Sequence, residues 1–315
     1  DPNVDIVAVQ GSLPQRADDP SDPTVFSNIL QATDKPTIAY VRVSQNVTDA
    51  GRAFQKAAGV PFVQGIQDAV RAMQDLVFYA GARGRGAVAL PEPSGRPADL
   101  EGEALDALLA VGGLPVPKSA FAPDGAGAAG AAAEIGFPVA LKIVSPQASH
   151  KTEVGGVALG LADAAAVEAA AGAMAGRLRK ADPQAEIEGF LVQEMVSGLE
   201  VIVGCRDDAQ FGPVMVAGLG GVLVEAMRDV SLRMLPVTEA DAREMLDGLR
   251  GSALLGAFRG APARDVDALV RAMCGLSEIF LAHRNHIADM EINPLIVLED
   301  GAGVRAVDVR TVPVR

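Results

Sequence analysis

The chain has 315 residues, enough for two or three domains with cores of their own, and with 49% apolar residues it is globular rather than disordered. A net charge of −13 excludes a general binder of nucleic acid or of anionic membranes, whose phosphates require Lys/Arg faces. Two cysteines, Cys205 and Cys274, make no disulfide framework and have no metal-ligand spacing, which fits reduced thiols in a cytoplasmic protein.

No apolar run approaches the roughly 20 residues of a membrane span. With 4% aromatics and no Trp, the core falls to Ala, Val, Leu and Ile. A start at Asp1-Pro2 without Met reads as a piece of a longer protein.

In chain order, residues 4–10 and 37–43 are short β-branched runs that predict buried strands. Asn46-Val47-Thr48 offers an N-cap for a helix through Ala58, closed by Gly59. A strand at 60–63 and a helix over Ile66–Tyr79 complete a small parallel α/β layer. Residues 82–98, rich in Gly, Pro and Arg, read as a linker.

A helix from Asp99 and an Ala-rich helix ending at Gly136 then lead to a strand at 138–144 and a polar loop at 145–160. After a helix at 163–180, strands at 189–196 and 199–206 are separated by Ser197-Gly198, a hairpin signal. Further strands are expected at 214–219, 288–292, 295–298 and 304–309, with helices near 239–248 and 266–284. Antiparallel signals dominate from about 188, an α+β pattern.

Several residues in this frame could carry chemistry. Lys142 sits mid-strand among apolar residues, so it either lies on an edge and snorkels to water or reaches an anion in a cleft. The 145–160 loop carries His150, Lys151 and Glu153 before Gly155-Gly156. A histidine ring nitrogen can take a phosphoryl group, the lysine can offset its charge and the carboxylate can orient the ring. An ordinary exposed loop histidine is the alternative.

Glu291 and Asn293 share a strand face, and Asp308 follows after a turn; three such oxygen donors suit Mg²⁺, though Asn-Pro and Asp also mark turns. Residues 217–225 form a Gly-rich turn that matches neither a dinucleotide fingerprint nor a P-loop, with Arg228, Asp229 and Arg233 serving the same site or a surface salt-bridge face. His283 and His286 have a spacing open to metal or to contact with a helix C-terminus.

Taken together, LKIVSPQASHKTEVGGVALGL, VQEMVSGLEVIVGCRDDAQFGPVMVAGLGGVLVE, DMEINPLIV and AVDVR resemble, in order over about residues 98–310, the ATP-grasp domain of ADP-forming acyl-CoA synthetases. The stretch KPTIAYVRV…AGVPFVQGIQDAVRAM resembles the small flavodoxin-like domain that precedes it in single-chain members. Succinyl-CoA synthetases are more distant relatives.

The resemblance implies a partial flavodoxin-like domain over 1–85, a linker over 86–98 and a two-lobed ATP-grasp domain, its lobes over 99–187 and 188–315. It matches Lys142 with a nucleotide-phosphate contact and Gln193, Glu194 and Met195 with the adenine segment, Glu200 beside it. Gly218, Gly220 and Gly221 match the glycine turn at the phosphates; Asn293 and Asp308 match the Mg²⁺ ligands, with Glu291 nearby. His150 matches a phosphohistidine on a mobile loop.

The implied reaction turns a carboxylic acid, ATP and CoA into acyl-CoA, ADP and phosphate through an acyl phosphate and phosphohistidines. The implied partners are the CoA-binding and first-phosphohistidine domains, which bind most of the coenzyme A, in a dimer or higher assembly. Glu153 departs from the family pattern, which has Asp there. Two other readings are a regulatory scaffold, as in some lysine acetyltransferases with a degenerate copy of this architecture, and an ATP-grasp carboxylate–amine ligase. The first would be expected to lack His150; the second has no use for it.

Overall fold

The computed structural model describes residues 1–84, 89–146, 155–220 and 229–314, which form two compact units, Asp1–Val88 and Ala89–Arg315. In the smaller unit, β1 (Val7–Gln10), β2 (Thr37–Val41) and β3 (Phe62–Gln64) form a parallel sheet in that order. They alternate with α1 (Thr24–Gln31), α2 (Asp49–Ala58) and α3 (Ile66–Gly84). The strand–helix alternation is as expected, except that α1 carried no clear sequence signal and α3 runs into the stretch read as linker.

Thr48 caps α2 by accepting from the Gly51 amide at 3.1 Å, and Gly59 ends it at φ +72°, a left-handed position that glycine adopts without steric cost. Phe26, Phe54 and Phe62 meet edge to face, with ring centroids 4.8 to 6.0 Å apart, against Leu13, Ala39 and Val41.

The larger unit has two antiparallel sheets, each with its own core. One runs β4 (Ser119–Ala122), β7 (Gly189–Glu194), β5 (Val139–Val144), β6 (Val157–Leu161). Its apolar face is covered by α5 (Gly125–Ile135) and α6 (Ala164–Ala181). Alanines allow the close approach of these two helices, and Asp124 and Asp163 cap them through bonds of 2.8 Å to the Gly127 and Ala166 amides.

The second sheet runs β10 (Val230–Met234), β9 (Gly212–Leu219), β8 (Leu199–Asp208), β11 (Ile287–Val297), β12 (Val304–Ala306), with β13 (Val309–Pro313) also on β11. Beneath it lie α7 (Glu239–Asp247) and α8 (Val266–His283). Leu269, Met273, Leu276 and Phe280 recur along α8 at helical spacing and are fully buried, each contributing roughly 1.5–3 kcal/mol. Among the described residues no helix is long and apolar enough to cross a membrane.

Three expectations are corrected. The strands at 189–194 and 199–208 are not a hairpin, because β7 is flanked by β4 and β5 while β8 is flanked by β9 and β11. Ser197-Gly198 is therefore the crossover between sheets, and the hairpin is β8–β9, its turn held by Asp208 accepting from Gln210 and Phe211. The expected loop at 145–160 ends inside a strand, β6, whose Val157 and Ala158 pair with Lys142 and Leu141.

Finally α4 (Gly102–Val111), expected in the first lobe, buries Leu109 in the core of the second, where Leu114 just after the helix is buried too. A Cβ on Gly275 of α8 would stand 1.9 Å from the Gly112 carbonyl oxygen, so glycine is what lets the end of α4 dock.

Candidate functional site

The face of the second sheet opposite α7 and α8 carries the alternate residues Glu200, Ile202, Gly204, Val216, Glu291 and Asn293. A cavity of about 140 Å³ lies there, lined by Ile202, Gly204, Arg206, Val216, Asp289 and Glu291 among others. A larger one, about 420 Å³, sits at the N-terminus of α8 and shares no lining residue with it.

An irregularity in β11 builds the centre of the site. Between Ile292 and Leu295 the pairing with β8 shifts, since Ile292 opposes Val203 while Leu295 opposes Val201. On the other edge β13 pairs with β11 up to Ile292 and β12 pairs from Leu295 on. Pro294 has no N–H for a ladder, which places the interruption here. Residues 307–308 close the gap: the Asn293 amide donates to the Asp308 carbonyl at 2.9 Å, and the Val307 amide donates to the Pro294 carbonyl at 3.1 Å. Asn293, on β11, is thereby exposed beside Asp308, which lies between β12 and β13 rather than on the next strand as the sequence suggested. Its Nδ2 donates to Glu291 Oε1 at 3.2 Å.

Lys142 reaches this place from the other lobe. Its strand is interior, flanked by β6 and β7, so the edge reading of Lys142 is set aside. Lys142 is half-buried, and its Nζ donates to the Val307 carbonyl at 3.2 Å, one residue from Asp308. The structure thus gathers Lys142, Glu291, Asn293 and Asp308, a cation and three oxygen-bearing side chains.

The remaining described candidates flank the crossover between the sheets. Gln193 is buried on β7, opposite Ala140 and Ser119. The Glu194 amide donates to the Lys118 carbonyl at 2.8 Å, and the Met195 amide to the Pro138 carbonyl at 3.4 Å. Glu200 is exposed at the start of β8, and its carbonyl accepts from the Gly220 amide at 2.6 Å. A Cβ on Gly220 would stand 2.8 Å from the Glu200 carbonyl carbon, so the approach requires glycine. Gly218 is buried in β9, opposite Ile202 and Val230. His150, Lys151, Glu153, Gly221 and Arg228 lie outside the described residues.

Other candidates are structural. Asp229 is buried and accepts from the Arg250 and Gly251 amides, both at 2.9 Å. Arg233 lies 3.7 Å from Asp241 and 3.2 Å from Glu244, the salt-bridge alternative of the sequence reading. His283 ends α8 with Nδ1 2.8 Å from the Ile279 carbonyl and Nε2 3.7 Å from Asp99. His286 Nε2 contacts the Gly95 carbonyl at 3.2 Å, so both histidines anchor residues 95–99. Among the described residues no group of three or more His, Cys, Asp or Glu side chains is placed to hold a metal. A hard cation needs only a few protein oxygens, and Asn293 with Asp308 supplies that kind of donor.

Sequence reasoning missed Arg310, directly opposite Glu291 across β11–β13, with its guanidinium 3.8 Å from Glu291 Oε2. It also missed Arg206, 3.9 Å from Asp289. The available signal was alternation, which sets Asp308 and Arg310 two residues apart; the register that brings Arg310 to Glu291 was not readable.

A protein-family model described as an ATP-grasp domain matches residues 94–312. The chain is also 37% identical over 219 residues to the acetate–CoA ligase [ADP-forming] II subunit beta of Pyrococcus furiosus, covering 69% of this chain and 92% of that one. This chain belongs to the ATP-grasp family of ADP-forming acyl-CoA ligases.

It is 39% identical over 216 residues to the 4-hydroxybutyrate–CoA ligase [ADP-forming] of Nitrosopumilus maritimus, matching 68% of this chain but 31% of that longer one. Among solved structures, a dinucleotide-forming acetyl-coenzyme A synthetase 1 from Ca. Korarchaeum cryptofilum superposes on the ATP-grasp chain with a TM-score of 0.56 and 31% identity. The match covers 76% of this chain and 99% of that one. That structure holds coenzyme A and Mg-AMPPCP, its phosphohistidine segment pointing towards the nucleotide-binding site.

Proposed function

We propose that this chain is the nucleotide-binding portion of an ADP-forming acyl-CoA synthetase, which makes acyl-CoA, ADP and phosphate from a carboxylic acid, ATP and coenzyme A. The observation that carries it is the Lys142–Val307 bond, which brings a cation from one sheet beside the Asn293–Asp308 bulge of the other. Phosphoryl transfer asks for this kind of arrangement, since it depends on positioning and neutralised charge more than on covalent help.

In this reading Lys142 binds nucleotide phosphate oxygens, and Asn293 and Asp308 hold the cation. Bound Mg²⁺ supplies charge neutralisation at the phosphates. Gly218, Gly220 and Gly221 let backbone approach the phosphates. Gln193, Glu194 and Met195 face the adenine, with Glu200 beside them. The amides of Glu194 and Met195 are already engaged, which leaves base recognition there to acceptors.

His150 takes the phosphoryl group on a ring nitrogen, with Lys151 offsetting its charge and Glu153 orienting the ring. The phosphorylated histidine then serves CoA-binding and first-phosphohistidine domains, upstream in the same polypeptide or in a separate subunit, within a cytoplasmic dimer or higher assembly. A histidine relay of this kind divides one long transfer into two shorter ones.

The test is calorimetric titration with ATP, with and without Mg²⁺, beside a Lys142→Ala variant. Mg²⁺-dependent binding that the variant loses supports the reading; no binding by a folded chain counts against it. Incubation with γ-labelled ATP then labels the wild type but not His150→Ala. Equal labelling of both would remove His150 from the scheme.

A further inference from the structure

We infer that residues 91–99 are a proton-operated strap, which closes when His283 at the end of α8 takes up a proton and pairs with Asp99. The stretch comes just after the smaller unit in sequence and is tied to the C-terminal end of α8. The Ser94 and Gly95 amides donate to the Ala282 carbonyl at 3.0 and 2.9 Å. Arg284 donates to the Pro91 carbonyl at 2.5 Å, and His286 Nε2 donates to the Gly95 carbonyl at 3.2 Å.

One atom of this joint lacks a partner when the ring is neutral. The Ile279 carbonyl can only accept, so His283 Nδ1 carries the proton in the 2.8 Å bond between them, and Nε2 is left as a lone pair. Nε2 is buried without a hydrogen-bond partner, in a residue only 3% exposed. It faces Asp99 Oδ2 at 3.7 Å, acceptor against acceptor. A Cβ on Gly95 would stand 2.2 Å from Nε2, so only glycine lets the strap lie this close to the ring. A proton on Nε2 satisfies the orphan and turns the mismatch into a charge-assisted pair.

The groups around the ring set the sign. Asp99 is held below its ordinary pKa, first of all by the Arg96 side chain, so it is ionised throughout the range in which an imidazole titrates. The C-terminal carbonyls of an 18-residue helix also attract a cation. Arg96 and Arg284 oppose the ring charge, as does burial. His286 keeps its bond in either charge state, because a doubly protonated ring still donates from Nε2. Pro313 and Val314, which reach the His286 carbonyl from the end of β13, bring no charge. The Asp99 carboxylate meets Nε2 itself and outweighs the opposing charges. Opening the strap would add residues 91–99, roughly 30 Å of extended chain, to the tether between the units.

The experiment measures hydrogen exchange at the Ser94 and Gly95 amides, corrected for intrinsic rates, at about pH 5.5 and about pH 8, either side of an ordinary imidazole. In wild type, protection is about tenfold greater at the lower pH, as a hydrogen bond to a charged group provides, while the amides of β5 keep theirs. Asp99→Asn offers the neutral ring a donor, so this variant shows no gain on acidification. Ring ¹⁵N shifts of the wild type at the higher pH show Nδ1 protonated and Nε2 bare.

Equal protection at the two pH values in wild type, or weaker protection at the lower one, overturns the inference whether or not the variant folds. So does an Asp99→Asn chain that keeps the full gain, or a wild-type Nε2 that carries the proton at the higher pH.

Discussion

Lys142 and Val307 stand 165 positions apart in sequence and in different lobes, yet the lysine ammonium donates to the valine carbonyl at 3.2 Å. The bond fixes where the ammonium stands, one residue from Asp308.

The first prediction follows from that. Loss of the Val307 bond should by itself cost the unliganded Lys142→Ala chain about 0.5–1.5 kcal/mol and lower its melting temperature accordingly. Mg·ATP at 100 times its Kd should stabilise the wild type by about 2.7 kcal/mol, and this gain should vanish in the variant. Thermal unfolding with and without ligand measures both.

Gly275→Ala should be severe. The added methyl would stand 1.9 Å from the Gly112 carbonyl oxygen, a backbone atom that cannot rotate away. Separating α4 from α8 uncovers Leu109 and Leu114, and a loss above roughly 3 kcal/mol is expected. Urea unfolding reads it directly.

Asp265 gives the fold an acid-sensitive joint. Burial raises its pKa, but the amides of Ala268 and Gly303, each 2.9 Å away, outweigh this and hold the carboxyl below its ordinary value. A lowered native pKa means that its contribution is complete above the unfolded value, near 3.9, and is lost as pH falls through the native one. Urea midpoints should thus decline between pH 5 and pH 3 more in wild type than in Asp265→Asn. At pH 7, Asp265→Ala should cost about 1–2 kcal/mol through the lost helix cap.

The two thiols should differ in access. Burial pushes the Cys205 thiol far above the ordinary range, with Asp289 adding to the effect; Cys274 is also raised, chiefly by burial, but is half-exposed. Iodoacetamide at pH 8 should leave Cys205 unmodified in the native chain and reach it only after unfolding, as peptide mass mapping would show.

What was readable in the sequence were features with local causes. Thr48 and Gly59 bound α2 because a hydroxyl cap and a left-handed glycine need only their neighbours. Lys142, Asn293 and Asp308 stood out because each is polar where the surroundings are apolar or turn-forming. Partner choice was not readable. The Ser197-Gly198 step looked like a hairpin because nothing local says that both edges of β7 are already taken by β4 and β5. The docking of α4 on α8 and the pairing of Arg310 with Glu291 likewise depend on register between distant segments.

The placement of α4 also changes the topology of the larger unit. Because α4 packs in the second lobe's core, the chain leaves that lobe after residue 118, builds the first, and returns at residue 194. Exit and return lie side by side: the Glu194 amide donates to the Lys118 carbonyl at 2.8 Å, and Glu194 Oε2 accepts from the Lys118 amide at 3.3 Å. The first lobe is thus a guest entering and leaving its host by one doorway. A short bridge from Lys118 to Glu194 would delete the guest without severing any strand of the host sheet, and such a shortened chain is the natural vehicle for asking what the bulge at Asn293 binds without Lys142.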